Sequence, residues 1–432
     1  MTDVFERAYK AFDPAPLSAA DSNLYVDLEP ARGEGDVVNR LAKRIRGSAG
    51  EPTCQLLAGH HGSGKSTELR RLQGLLERGT PPIFVVFCEA KSDLDLNDVD
   101  FPEILIALVR QMAAQLKDGL GISLKPGYIK DRLERITDLL GRKLAFDGMD
   151  INAGLVEISA AIKSSPDARF KIREALEPDT SNLLFAANDI IGKAKSELTQ
   201  RGYADLAIIV DDLDKIVLRD HRSGAGSTAE YLFIHRHAQL AGFQCHVAYS
   251  MPLALAYSAQ EEKITNLYGG RVPVIPMTKI STPPPRRGPY PKGVECFRQM
   301  IARRLEEAQV TPGDVFAGDK IRDQLIKLSG GQPRELMILI REALIGGDLP
   351  IRQAAVDRAA REGARAYARQ LLEEHVAIVR QVAKTGKLRR TAGNDQLIRE
   401  LLDSRAVLQY VNKTEWYGVN PLIELPATRQ SR

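Results

Sequence analysis

The sequence predicts an α/β protein: a parallel sheet carrying a large helical insertion, followed by an α-helical lid and a C-terminal unit of winged-helix outline. Three observations carry that expectation. Gly59-His60-His61-Gly62-Ser63-Gly64-Lys65-Ser66 reads G-x-x-x-x-G-K-S, between the apolar run Gln55-Leu56-Leu57-Ala58 and a helical stretch opening at Thr67. Leu206-Ala207-Ile208-Ile209-Val210 is wholly apolar and ends in Asp211-Asp212-Leu213-Asp214, as a buried parallel strand with carboxylates at its C-terminal end does. Further apolar runs at 82–88, 244–250 and 271–276 alternate with helical periodicity, the rhythm of a parallel sheet.

Taken in order, residues 1–47 read as an arm, a strand at 24–28 and an amphipathic helix at 37–45. The core is expected over 48–285. In its phosphate loop the glycines let the backbone wrap an anion, so that successive N–H groups and the helix N-terminus at Thr67 face negative charge. Lys65 reaches the β- and γ-phosphates and the Ser66 hydroxyl ligates Mg²⁺. At the acidic strand, Asp211 holds the Mg²⁺ shell and Asp212 polarises the attacking water, a place usually held by the longer Glu. Residues 101–200 form the insertion, with apolar residues three and four apart at 104–116 and 129–140. The Pro-rich stretch 282–289 marks a hinge or exposed loop, and the lid spans 286–368. The unit at 369–432 reads as helices at 374–384 and 394–402, then β-like runs at 407–411 and 416–419 about the turn Asn412-Lys413-Thr414.

Composition excludes several classes. With 432 residues, 44% hydrophobic and 27% charged, the chain builds folded domains and is not disordered. Sixty Lys and Arg against 56 Asp and Glu leave a net charge of +4, too even to argue for nucleic acid by itself. Cys54, Cys88, Cys245 and Cys296 show no paired spacing and read as buried thiols in a reducing cytoplasm. The first residues are acidic and lack an apolar leader core, and no apolar run reaches the roughly 20 residues of a membrane span, so no membrane partner is expected.

Two strings mislead. Leu328-Ser329-Gly330-Gly331-Gln332 spells the signature of ABC-transporter ATPases, but it follows the acidic strand instead of preceding it. Asp93-Leu94-Asp95-Leu96-Asn97-Asp98 begins like a calcium loop, yet Asp98 stands where the required Gly would be and Ile104 where the Glu would be. An acidic loop capping the following helix is the better reading.

With the phosphate loop and Ile209-Val210-Asp211-Asp212-Leu213-Asp214 in place, the chain resembles the AAA+/STAND group of P-loop ATPases. These include origin-recognition ATPases and the NTPase subunits of bacterial conflict systems. The resemblance runs from Tyr25 to the tail. It implies ATP with Mg²⁺ as ligands, Ser250 as the polar sensor of the attacking water, and Arg271 as a finger reaching a neighbour's ATP. It also implies that Arg334, in Leu328-Ser329-Gly330-Gly331-Gln332-Pro333-Arg334, touches the γ-phosphate from the lid. His60-His61 and Asp212 depart from the group's usual residues and imply slow turnover, and the large insertion implies a switch more than a motor. Self-association and a separate effector protein follow from the resemblance, since no nuclease, TIR or protease signature is present. The tail contacts either duplex DNA or a protein. Lys387, Arg389 and Arg390 suit phosphates, whereas Asp395, Glu400 and Asp403 offset Arg399 and Arg405.

Overall fold

The core sheet contains five parallel strands: β1 (Cys54–Gly59), β2 (Ile83–Glu89), β3 (Asp205–Asp211), β4 (His246–Ser250) and β5 (Val274–Ile275). They lie in the order β2-β3-β4-β1-β5. This computed structural model describes residues 2–423 apart from 34, 49, 125–133, 135, 139–150, 177–179, 225 and 392. Every residue of β3 is buried, because helices cover both faces. Alternate residues serve the two sides. Ile209, Leu57, Val85 and Phe87 meet α2 (Val37–Gly47) and α3 (Lys65–Glu77) through Leu41, Ile45, Leu69, Leu72 and Leu76. Ile208, Leu206, Val86 and Val247 meet α4 (Phe101–Leu120) and, beyond the insertion helices α5 (Ile151–Ser164) and α6 (Pro166–Leu176), α7 (Thr180–Gln200). The register pairs Glu89 with Asp211 and Leu57 with Ser250, which brings Gly59, Asp211 and Ser250 to one edge of the sheet.

The acidic loop before α4 is a structural clamp. Asp100 caps α4 by accepting from Phe101 N–H at 2.7 Å, and Glu103 accepts from Asp100 N–H at 3.2 Å in a capping box. Asp93 takes Arg110, while Asp95 and Asp98 take Arg169 of α6, and Asp98 also takes Arg173. Among the described residues no group of acids or histidines is arranged to hold a metal by itself. The second periodic stretch, 129–140, lies for the most part outside the described residues.

The expected strand at 24–28 is not one. Residues 19–24 form a 3₁₀ turn (Ala19–Leu24), and the extended residues after it join no sheet. Val26 and Leu28 bury themselves against the lid helix α8 (Pro291–Glu307) through Phe297 and Ile301. Arg303 of α8 donates to the Tyr25 carbonyl, filling the place of a strand neighbour. Helix α1 (Thr2–Ala11) likewise joins the core of α8, α9 (Asp319–Leu328), α10 (Pro333–Ile345) and α11 (Gln353–Ala368).

The chain ends in α12 (Glu373–Thr385), α13 (Asp395–Asp403) and the antiparallel pair β6 (Val407–Val411) and β7 (Glu415–Val419), with the turn at 412–414. This unit is docked on the core. Tyr410 OH donates to Gly330 O at 2.6 Å, and Met277 N–H donates to Gln409 O at 3.0 Å. The Gly-Gly of the false transporter signature has a packing reason. Gly331 has φ +80°, and a Cβ there would lie 1.8 Å from the Thr278 carbonyl oxygen. Pro284 of the Pro-rich turn rests near Gly386, and Arg287 donates to Ala383 O, so the turn braces the same unit. All four cysteines are free thiols; Cys88, Cys245 and Cys296 are buried and Cys54 half-buried. No described helix is long and apolar enough to cross a membrane.

Because α3 positions the phosphate loop, its packing is a test of the core. Leu72→Ala, at a fully buried position, is expected to destabilise the protein by about 2–5 kcal/mol. Leu75→Ala, on the half-buried side of the same helix, is expected to cost distinctly less. Urea unfolding midpoints of both variants, with unchanged slopes, make the comparison.

Candidate functional site

The loop between β1 and α3 is shaped by glycine and held from behind by an arginine. Gly64 has φ +97°, and a Cβ on it would lie 3.2 Å from Arg32 Nη2. Arg32 donates to Ser63 O at 2.7 Å and to Glu68 Oε1 at 2.6 Å, with both side chains buried. Gly62 has φ +79° and lies against Arg334 Cβ, while Arg334 N–H donates to Gly62 O at 3.5 Å. Core and lid therefore meet at the loop.

Lys65 is 5% exposed and folds back on the loop, donating to Gly59 O at 2.7 Å and His60 O at 3.0 Å. Its ammonium pairs with Asp214 Oδ2 at 2.9 Å. Burial alone would raise the Asp214 carboxyl; Lys65 and His61 overcome that and hold it far below the usual carboxylate range. Asp211 moves the other way. Burial and the neighbouring Asp214 charge raise it, against a hydrogen bond from Ser66. Its Oδ1 is buried with no hydrogen-bond partner among the described residues. A hydroxyl and an under-satisfied carboxylate oxygen side by side fit a divalent cation that takes oxygen ligands, so Ser66 and Asp211 would hold Mg²⁺.

A cavity of about 420 Å³ opens beside the loop. Gly62, Gly64, Lys65, Ser66 and Thr67 of the loop line it together with the apolar Pro16, Leu17, Leu28, Met300 and Met337. The volume and the mixed polar and apolar lining suit a nucleotide. Thr67 Oγ1 accepts from Leu17 N–H at 3.4 Å, which ties the N-terminal arm to the site. Arg334 stands on the cavity wall, and Ser250, wholly buried at the end of β4, accepts from Asp214 N–H at 3.4 Å.

Two expected residues stand apart. Asp212, in the left-handed region at φ +70°, is buried and held by Lys215 and by Lys91 at 3.4 Å, so Asp214 is the carboxylate on the cavity wall. Arg271 is exposed in a separate cleft with Arg44, Cys54 and Gln55, near the N-terminal end of β1 and away from this chain's own cavity. Sequence reasoning missed Arg32, Glu68, Lys91 and Lys215. Only Lys215, three residues after Asp212, leaves a local trace.

The histidine pair is the least expected feature. His60 is 1% exposed, and its ring points away from the cavity into the C-terminal unit. Nδ1 donates to Leu402 O at 3.2 Å, and Nε2 accepts from Gln409 N–H at 2.9 Å, which requires the neutral ring. Burial pushes its pKa down to about 3. His61 lies between two carboxylates, with Nδ1 3.3 Å from Asp214 Oδ2 and Nε2 3.4 Å from Asp403 Oδ1 of α13. Burial works to lower its pKa, but the two carboxylates win and raise it.

No protein-family profile matches the chain, and no curated protein matches it. Solved structures similar to it include a Walker-type ATPase of Pyrococcus abyssi, at 13% identity and TM-score 0.49 over 95% of this chain and 98% of that one. Cdc6p from Pyrobaculum aerophilum is similar at 13% identity and TM-score 0.39, over 96% and 94% of the two chains. The ORC2 protein of Aeropyrum pernix is similar at 12% identity and TM-score 0.36, over 91% and 90%. By its own strand order, phosphate loop and Ser66–Asp211 pair, the chain has the P-loop NTPase fold.

The buried pair gives Lys65 a part in the fold as well as in the site. Lys65→Ala is expected to abolish nucleotide binding and also to destabilise the protein by about 3–5 kcal/mol, because Asp214 loses its cation. Adding Asp214→Asn should recover part of that stability but none of the binding; urea unfolding and calorimetry read the two effects. His61 gives a pH test, since it faces Asp214, Lys65, Lys215, Arg334 and Asp403. Its folded pKa is raised, so its stabilisation is complete below the ordinary value of 6.5 and is lost as pH rises through the folded pKa. The stability advantage of wild type over His61→Gln should therefore shrink as the pH rises above about 6.5.

Proposed function

We propose that this chain binds ATP with Mg²⁺ and hydrolyses it slowly, as a switch of the STAND/AAA+ kind. The switch governs self-association or a separate effector chain in a bacterial defence system. The observation that supports a switch is the double duty of the phosphate loop: one side of it faces the cavity, while His60 and His61 carry the C-terminal unit on the other. Bound Mg²⁺ would supply charge neutralisation at the β- and γ-phosphates. Lys65 presents its ammonium to the same oxygens, and Arg334 reaches them from the lid. Ser250 and an acid of the Asp211-Asp212-Leu213-Asp214 run orient the attacking water. Slow turnover follows from Asp212 being neutralised by Lys91 and Lys215.

A second reading has the C-terminal unit hold duplex DNA. Lys384, Lys387, Arg389 and Arg390 are exposed around the connection from α12 to α13 and suit backbone phosphates. Against it, α13 buries Ile398, Leu401 and Leu402, and its Arg399 is paired with Glu230 at 3.4 Å and Asp395 at 3.4 Å. ATPase rates with and without duplex DNA separate the two readings. The switch predicts a low rate that DNA leaves unchanged, and a DNA-stimulated rate favours the second.

Two variants examine the roles. Asp211→Asn should lose Mg²⁺-dependent affinity, whereas Asp212→Asn should keep binding and lower turnover; a wild-type rate in Asp212→Asn moves the water-positioning role to Asp214. Arg271 is proposed to act on a neighbour's ATP, so the specific rate should rise with protein concentration. An arginine finger is worth about 10³-fold or more. Arg271→Ala and Asp211→Asn proteins, each inactive alone, should recover part of the activity when mixed. No recovery, or full activity of Arg271→Ala alone, removes Arg271 from the site.

A further inference from the structure

One side chain touches both the phosphate site and the C-terminal unit through ionic contacts. His61 lines the nucleotide cavity, and it also lines two grooves between the core and the C-terminal unit, of about 820 and 620 Å³. Its ring takes Asp214 with one nitrogen and Asp403 with the other. Asp214 is at the same time the partner of Lys65. The order is therefore Lys65, Asp214, His61, Asp403: a chain of alternating charge running from the phosphate-binding cation to the end of α13. Lys65 and His61 meet at the same buried oxygen of Asp214, Oδ2.

The consequence is electrostatic competition for that oxygen. Lys65 cannot serve Asp214 fully while it serves a polyphosphate. Asp214 is buried and is costly to leave without a cation, so it draws on His61 in place of Lys65. A charged imidazole makes a shorter, stronger hydrogen bond to its second carboxylate than a neutral one does. His60, neutral and fully buried against Leu402 O and Gln409 N–H, contributes a tie that this exchange of partners leaves alone.

We propose that His61 couples the phosphate site to the C-terminal unit: a polyphosphate that draws Lys65 off Asp214 makes His61 that carboxylate's cation, and the same imidazole then grips Asp403 more tightly. Occupancy of the site thus tightens the docking of α13 and β6. By linkage, the docked unit favours occupancy to the same degree. The coupling rests on the nucleotide reading above, and the following experiment separates the two.

Amide hydrogen exchange over residues 401–409 is measured on the full chain with and without the non-hydrolysable analogue AMP-PNP and Mg²⁺, alongside calorimetry of the same mixtures. In wild type, exchange over 401–409 is expected to slow by about fivefold or more, the low end of ordinary coupling between sites. Asp403 has a side chain 47% exposed and lies outside the cavity, so Asp403→Asn removes one end of the chain of charges while every residue lining the cavity stays in place. Calorimetry should still register AMP-PNP in Asp403→Asn, but exchange over 401–409 should no longer respond to it; Asp403→Glu should restore the response. Arg399→Ala, which breaks the Arg399–Glu230 contact of the same helix, should loosen α13 in both states yet keep the nucleotide-dependent slowing. The coupling is overturned if Asp403→Asn responds like wild type, if Arg399→Ala loses the response equally, or if wild type binds AMP-PNP without slowing. Absence of AMP-PNP binding to wild type by calorimetry overturns the nucleotide reading itself, and the coupling with it.

Discussion

The Lys65–Asp214 pair organises this molecule. A phosphate-binding cation is held against a carboxylate with almost no exposure to water, and separating two such charges without replacement is expensive. A ligand that recruits Lys65 must therefore bring dense negative charge, and something else must attend to Asp214. A polyphosphate meets the first demand and the neighbouring His61 the second. The two acids near the loop are set apart by the same arrangement. Asp214 is kept ionised by its cations, while Asp211, raised by burial and by the Asp214 charge, is left with an under-satisfied oxygen beside Ser66. That is a poor place for a lone carboxylate and a good one for a carboxylate awaiting Mg²⁺.

The loop is not a self-contained feature of the sheet. Arg32 supports it from the N-terminal segment, Arg334 approaches Gly62 from the lid, and Leu402 and Gln409 meet His60 from the C-terminal unit. Lys279, buried just after β5, binds these outer segments together by donating to Arg32 O at 3.0 Å and to the Val411 carbonyl. The N-terminal segment, the lid and the C-terminal unit each contact the loop directly. Such an arrangement suits a protein whose nucleotide state sets the relation between parts more than one that turns over substrate quickly.

What was legible in the sequence is what local pattern determines. The five strands are short apolar runs buried on both faces, and the loop's glycines hold backbone angles other residues resist, so both leave marks readable without a structure. The two C-terminal helices and the hairpin turn at 412–414 were readable for the same reason. The segment at 24–28 was not, because a short apolar run can bury itself in a sheet or against helices, and the arginine of α8 that takes the Tyr25 carbonyl lies far along the chain. His60 and His61 could be seen only as departures from a pattern. The carbonyl His60 bonds is 342 positions away, and nothing near residue 60 announces it. Asp212 was the acid the pattern favours, and the lysine at position 91 that helps neutralise it belongs to another strand's end.

The most direct measurement is an experimental structure of the full chain with Mg²⁺ and AMP-PNP bound. The account predicts Lys65 Nζ on the β- and γ-phosphate oxygens and no longer on Asp214, Mg²⁺ about 2.1 Å from Ser66 Oγ, and His61 bridging Asp214 and Asp403 at shorter distances than the 3.3 and 3.4 Å found here. A nucleotide bound elsewhere, or bound at the loop with Lys65 still on Asp214, would contradict it.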